Sequence, residues 1–205
     1  MKTENKKYEL LKNDSVTVWN GKVLYRIRAL VDIGSLVSAG KLGGYIESEV
    51  NLSVYGNSWI SGDAKVSGDA RISGNAQVSG NAQVSGDAQI SDDARVSDDA
   101  RVSGNAKVSG DARVYGNARI YGSARVSGDA RVYGEGAIIL FSKVGSENGT
   151  MTVYHAKNNT LLITCGCFLG TDNEFLLAVD KKHGNSKIGK EYRLLIEVAR
   201  SRLGK

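Results

Sequence analysis

From residue 54 onward the chain places an aliphatic side chain at every sixth position. Val54, Ile60, Val66, Ile72, Val78, Val84, Ile90, Val96, Val102, Val108, Val114, Ile120, Val126 and Val132 follow one another at this spacing, and Ile138 extends the series. Two positions before nearly every member stands a small residue, alanine from Ala64 through Ala130. In a strand, residues i and i+2 share a face, so each Ala and its Val or Ile point inward together while the residue between them points out. On an α-helix the same period would rotate successive valines by about 600° and smear them around the cylinder. A glycine in most hexads would add a penalty of ~1 kcal/mol each. A helix is therefore excluded. The Asp or Asn that follows most glycines, from Asp63 to Asp129, is expected to turn a corner in the left-handed backbone conformation.

One hexad cannot bury its Ala and Val face alone, so the segment must wind into stacked coils ~4.8 Å apart with a cap at each end. In these hexads the sequence resembles the hexapeptide-repeat left-handed β-helix proteins, in which three hexads form one triangular coil of eighteen residues. The resemblance implies left-handed winding, an exception to the right-handed rule for parallel crossovers. The expectation is a mainly β chain built on a single-stranded left-handed parallel β-helix of about five triangular coils. It divides into an N-terminal β-hairpin cap over residues 1–53, the β-helix over 54–137, and a C-terminal α+β module over 138–205.

The flanks carry ordinary folding signals. Val16 and Val18 oppose Tyr25 and Val23 across Asn20-Gly21, which predicts a hairpin with a two-residue turn. Gly43-Gly44-Tyr45-Ile46 then leads into the first coil, where the hairpin can lie as a lid on the Val54 and Ile60 layer. After the repeat, Ile138 to Val144, Met151 to Tyr154 and Leu161 to Cys165 read as strands, with a turn at Asn158-Asn159. Thr171 and Glu174 have the spacing of a capping box, and Gly184 marks the end of that helix. A last helix repeats Ile188, Tyr192, Leu195, Ala199 and Leu203 on its apolar side.

Composition fits this picture. The 205 residues include 25 glycines, no proline and only 7% aromatic side chains, which suits a chain whose backbone N–H groups are nearly all needed for strand pairing. The net charge of +5 arises in the flanks, because residues 54–137 hold nine basic against ten acidic side chains. Eighteen-residue stacking places a basic column on each face: Lys65, Gln83, Arg101 and Arg119; Arg71, Gln89, Lys107 and Arg125; and Gln77, Arg95, Arg113 and Arg131. Asp and Asn corners beside them predict a lattice of weak neutralising pairs. Cys165 and Cys167 form neither a disulfide framework nor a zinc set and read as thiols within a strand. The polar stretch Met1 to Lys7 has no apolar signal segment, and no run of ~18 apolar residues exists, so a cytoplasmic location with no membrane partner is expected.

Catalytic chemistry finds no foothold. The segments Leu24-Tyr25-Arg26-Ile27-Arg28-Ala29-Leu30, Gly43-Gly44-Tyr45-Ile46-Glu47-Ser48-Glu49 and Val144-Gly145-Ser146-Glu147-Asn148-Gly149-Thr150 resemble small hexapeptide proteins of phages and prophages. That group implies no assigned activity, though its repeat is shared with acyltransferases. Those enzymes use a histidine base beside the coils, whereas the only histidines here, His155 and His183, lie in the C-terminal flank. A histidine-ligated metal of the β-helix carbonic anhydrase type needs three histidines. No catalytic residue, cofactor or metal is assigned. The expectation is a non-catalytic scaffold that binds a protein partner, itself or a host protein, with inhibition of a bacterial defence system as one role for a phage product. An acyltransferase and a nucleic-acid or nucleotide-binding protein are the alternatives. The expected binding residues are Tyr115, Tyr121 and Tyr133, which replace the usual serine, with Arg113, Arg119 and Arg131 beside them and Arg193 and Arg200 on the last helix.

Overall fold

The computed structural model describes residues 7–156 and 160–204. The repeat forms a parallel β-solenoid whose strands recur every eighteen residues on three faces. Lys65 lies opposite Gln83, Gln83 opposite Arg101, and Arg101 opposite Arg119. A second face stacks Trp59, Gln77, Arg95, Arg113 and Arg131, and a third Arg71, Gln89, Lys107 and Arg125. Backbone bonds join each coil to the next, as from Lys65 N to Ala82 O at 2.9 Å and from Arg101 N to Ala118 O at 2.8 Å. Inside, every Ala from Ala64 to Ala130 and every Val or Ile from Ile60 to Val132 at the repeat positions is buried. Each buried Val or Ile contributes about 1.5–3 kcal/mol relative to exposure.

The repeat departs from its spacing at the first coil. The inward aliphatic series begins Ile46, Leu52, Ile60, with Leu52 fully buried and bridged to Ile72, while Val54 is 46% exposed. Val54 is thus not a core residue, and about five coils run from Ile46 to Val132. The segment from Leu52 to Ile60 is two residues longer than a hexad, which pushes Val54 and Tyr55 outward. The buried Lys7 ammonium holds this longer corner, donating to Ser58 O at 2.6 Å, Ser53 O at 3.2 Å and Ser58 Oγ at 3.3 Å. Ile138 is buried against the solenoid but opens an antiparallel sheet instead of a further hexad.

At the corners it is the glycine, not the following Asp or Asn, that is left-handed. A Cβ on Gly74 (φ 66°) would meet the Asp92 backbone nitrogen at 2.8 Å. Asp92 and Asp98 replace glycine at two corners with φ of 58° and 59°, and their carboxylates accept from Gly110 N at 3.0 Å and Gly116 N at 2.9 Å. The next position instead builds side-chain ladders. Asn57 donates to Asn75 at 3.2 Å, and Asn75 to Asp93 at 3.1 Å.

The N-terminal strands β1 (Tyr8–Thr17), β2 (Val23–Ala29) and β3 (Leu42–Ile46) extend one solenoid face edge-on. β3 pairs in parallel with the Lys65–Val66 strand, and β2 and β1 follow antiparallel. Tyr8, Ile27 and Ala29 join the solenoid core, so the hairpin caps the first layer while also lengthening a sheet. Its turn is longer than two residues, because Val18 N donates to Lys22 O and Thr17 pairs with Val23. The buried Asn51 side chain donates to Gly68 O at 2.8 Å and Ala70 O at 2.9 Å, standing in for backbone.

The C-terminal cap solves the same problem at the other end. Within the stack, Lys107 N donates to Ala124 O and Ser109 N to Val126 O. In the last coil no further strand meets Arg125 and Ser127. Side chains of a four-stranded antiparallel sheet (Ile138–Val144, Gly149–His155, Leu161–Cys165 and Phe168–Thr171) take its place. Arg125 N donates to Thr152 Oγ1 at 3.2 Å, Ser127 N to the Tyr154 hydroxyl at 3.1 Å, and Thr164 Oγ1 donates to Arg125 O at 2.6 Å. The sheet's other side packs Met151, Val153 and Ile163 against Phe175, Val179, Tyr192 and Ile196 of helices α1 (Asp172–His183) and α2 (Lys187–Leu203). The Thr171 and Glu174 capping box and the Gly184 stop form as expected. The Phe168–Thr171 strand was not anticipated, Cys167 lies exposed in the turn before it, and the Asn158-Asn159 turn falls outside the described residues.

Two outcomes follow from the caps. Tyr154→Phe removes the hydroxyl that serves Ser127 and should cost about 1–3 kcal/mol, measured by urea unfolding with an unchanged m-value. Burial also pulls the Lys7 ammonium down to about 8. Between that value and its ordinary one near 10.5 the unfolded chain binds more protons than the folded one, so stability should rise with pH across that interval. Burial raises the Tyr8, Tyr154 and Tyr192 hydroxyls, which opposes the rise above pH ~10. Lys7→Met should flatten the slope between pH ~8 and ~10 in the same unfolding assay.

Candidate functional site

Three-residue strands at Arg113–Tyr115 and Arg131–Tyr133 bring the first group of expected residues together. Tyr115 lies under Tyr133 with ring centroids 5.1 Å apart and planes inclined at 42°. Tyr133 folds down over the corner at Gly116, where a Cβ would meet its ring carbon at 2.7 Å. Beneath it the Asp98 carboxylate is occupied by Gly116 N. Arg95, Arg113 and Arg131 stand on successive rows of this face, about 4.8 Å apart. Together with Gln77, Ser79, Ser97, Tyr115 and the Asp98 carboxylate they line an open trough of about 500 Å³.

These arginines are not neutralised by the Asp corners as the sequence suggested. Among the described residues, no carboxylate lies within ion-pairing distance of Arg95, Arg113 or Arg131. Arg131 donates to the Ala130, Asp111 and Asp129 carbonyl oxygens at 2.8–3.1 Å, which fixes its position without cancelling its charge. Four of the corner acids accept along the stack instead, Asp93 and Asp99 from the Asn ladders and Asp92 and Asp98 from the next coil's backbone.

The remaining expected residues sit elsewhere. Arg119 belongs to a different face and pairs with Glu135 at 2.9 Å. Tyr121, 57% exposed, follows Ile120 on that same strand's corner and does not join the Tyr115 and Tyr133 pair. Arg193 donates to Asp180 and to Gly184 O, and Arg200 to Asp172 at 2.7 Å and Asn173 at 2.8 Å. Both therefore clamp α2 to the two ends of α1, on the side of the C-terminal sheet that faces away from the solenoid. The single patch foreseen in sequence divides into three places.

One structural element beside this face was not foreseen. The connection between β2 and β3 folds over the first rows of the arginine face, where Ile33 and Val37 pack with Trp59. Trp59 occupies the outward position that later hexads give to Gln or Arg, yet it is only 4% exposed. An aromatic residue in that slot was the available signal.

A family model described as YdcK beta solenoid repeat matches residues 64–80, 88–104 and 112–127. The coils are thus similar to a known solenoid repeat, and the matched segments lie wholly within the stack. No curated protein matches the chain. The supported description is a repeat β-solenoid scaffold with an α+β end.

Among the described residues no cluster of three or more His, Cys, Asp or Glu side chains has the geometry to hold a metal. His155 lies on the Gly149–His155 strand at the solenoid end, and its buried Nδ1 has no partner among the described residues. Burial raises the Cys165 thiol, which disfavours the thiolate needed for nucleophilic attack. Among the described residues no helix is long and apolar enough to cross a membrane. Purified protein is expected to show no acetyl-CoA turnover with a panel of amine and hydroxyl acceptors. Turnover that His155→Ala abolishes would reinstate the acyltransferase reading.

Proposed function

We propose that this protein is a non-catalytic binding scaffold whose working surface is the face carrying Arg95, Arg113 and Arg131, with a protein partner docked at its Tyr115 and Tyr133 end. The observation that supports this is the unneutralised arginine column beside a tyrosine pair on a rigid face. Tyrosine and arginine are the residue types enriched at interface centres, and a backbone held by two neighbouring coils loses little freedom on binding. The resemblance to phage and prophage proteins gives the finer form of the proposal, in which the partner is a host protein of a defence system. A second copy of the chain is the other protein candidate. Arg71, Arg101, Lys107 and Arg125 on the other two faces also lack a carboxylate partner among the described residues, so the feature that favours a protein over a nucleic acid is the tyrosine pair, which those faces do not carry.

The test is capture of a partner by the full chain, followed by affinity measurement with the wild type and with Tyr115→Ser plus Tyr133→Ser. Serine is what the row below carries at this position, Ser97, so the fold should be retained. Loss of hot-spot contacts worth ~2 kcal/mol should weaken binding about thirtyfold. Undiminished affinity places the working surface elsewhere. Binding that collapses between low and moderate salt identifies a polyanion by counterion release, against the protein reading.

A further inference from the structure

The connection over residues 30–41 and the first rows of the arginine face enclose a cleft of about 440 Å³. Ile33, Leu36 and Val37 form its apolar roof, with Trp59 and Gln77 among the residues beneath. Gln77 and Ser79 also line the trough of Arg95 and Arg113, so cleft and trough form one groove. No carboxylate lines the cleft. The Trp59 indole N–H is buried without an acceptor, and among the described residues the Gln77 carboxamide and the Ser61 and Ser79 hydroxyls have no hydrogen-bond partner. A flat apolar slot edged by free amide and hydroxyl groups thus opens directly onto a ladder of free guanidinium groups.

We infer that this groove binds a nucleoside polyphosphate, its heterocycle in the cleft under Leu36 and its phosphates on Arg95 and Arg113. The site rests on the reading of this face as the working surface but uses its loop end, not the tyrosine end. The cleft falls in the lower part of the range usual for small-molecule sites, large enough for a base and part of its ribose. A planar base offers apolar faces for the slot and donor and acceptor edges for Gln77 and the serines. Charge density favours a nucleotide over an acidic peptide, because two adjacent guanidinium groups meet more anionic charge on a polyphosphate than on an extended peptide. Carboxylates on one side of an extended peptide recur at about 6.6 Å, wider than the ~4.8 Å step between arginine rows. Successive phosphates share a single bridging oxygen, so their charges sit closer together than one row. Each guanidinium can fork onto phosphate oxygens, an arrangement that a lysine or a glutamine in the same position does not offer. The ribose spans the row of Gln77 and Ser79, which separates the Trp59 row from that of Arg95.

The test is isothermal titration of the full chain, without magnesium and at low salt, with ATP, GTP, CTP, UTP, inorganic tripolyphosphate and the free nucleosides. At least one nucleoside triphosphate should bind ten times more tightly than tripolyphosphate, and nucleosides more weakly still. Arg95→Gln plus Arg113→Gln restores the residue of Gln77 on the same face, so folding is retained, and should weaken the triphosphate at least tenfold. Gln77→Leu should weaken the triphosphate while leaving tripolyphosphate unchanged. Tyr133→Ser, at a residue that does not line the trough, should change neither, which separates this site from the proposed protein interface. Tripolyphosphate binding as tightly as every nucleotide would reduce the groove to an anion track and overturn the inference. So would the absence of any triphosphate binding, or an arginine double variant with unaltered affinity.

Discussion

The structure depends on the backbone ladder that ties each coil to the one eighteen residues later. A hexad contributes only an alanine and one branched aliphatic to the core, too little to be stable unless rows lie directly above and below it. Ala64 and Val66 are buried because Ala82 and Val84 cover them, and so on to Ala130 and Val132. This cooperativity makes the two ends the weak points. A row with no neighbour on one side leaves N–H or C=O groups unpaired, at a cost comparable to that of a lost hydrogen bond for each. The ends are closed differently: by another strand and the Asn51 amide at one, and by threonine and tyrosine hydroxyls at the other.

The same ladder organises the surface. Because rows repeat without drift, a residue type placed at one outward position in consecutive coils becomes a column, and Arg95, Arg113 and Arg131 are such a column. An isolated surface arginine finds a carboxylate or water wherever its side chain wanders. Here Asp92, Asp93, Asp98 and Asp99 are held by Asn ladders and backbone N–H groups, and among the described residues no carboxylate pairs with the column. Column and tyrosine pair owe their geometry to coil stacking, whereas the cleft owes its roof to a connection from outside the repeat.

The solenoid was legible in sequence because its period is incompatible with a helix and its alanine and valine alternate at strand spacing. The capping box at Thr171 and the strands at Ile138 and Leu161 were equally readable, each being set by local chemistry. Val54 misled because the six-residue count runs through it, while the chain inserts two residues there and buries Leu52 instead. Nothing local distinguishes those two aliphatics. Which one faces inward is decided by the Ile72 row above and by Lys7 reaching in from a distant part of the chain. The binding residues show the same division. Stacking predicted that Tyr115 and Tyr133 would meet, but the positions of Arg193 and Arg200 depend on which side of the C-terminal sheet the helices cover, and helix amphipathicity does not specify that.

The caps reach the first two rows and the last two rows of the faces they cover, so the coil between them is free to vary in number. An in-frame duplication or deletion of residues 86–103 would leave both ends with the neighbours they have now, and would change the groove by one row. Rod length, and with it the count of arginines facing a ligand, can therefore change in discrete steps of ~4.8 Å, one coil at a time. In this architecture the gene acts as a ruler, and the reach of the binding face is written in units of coils.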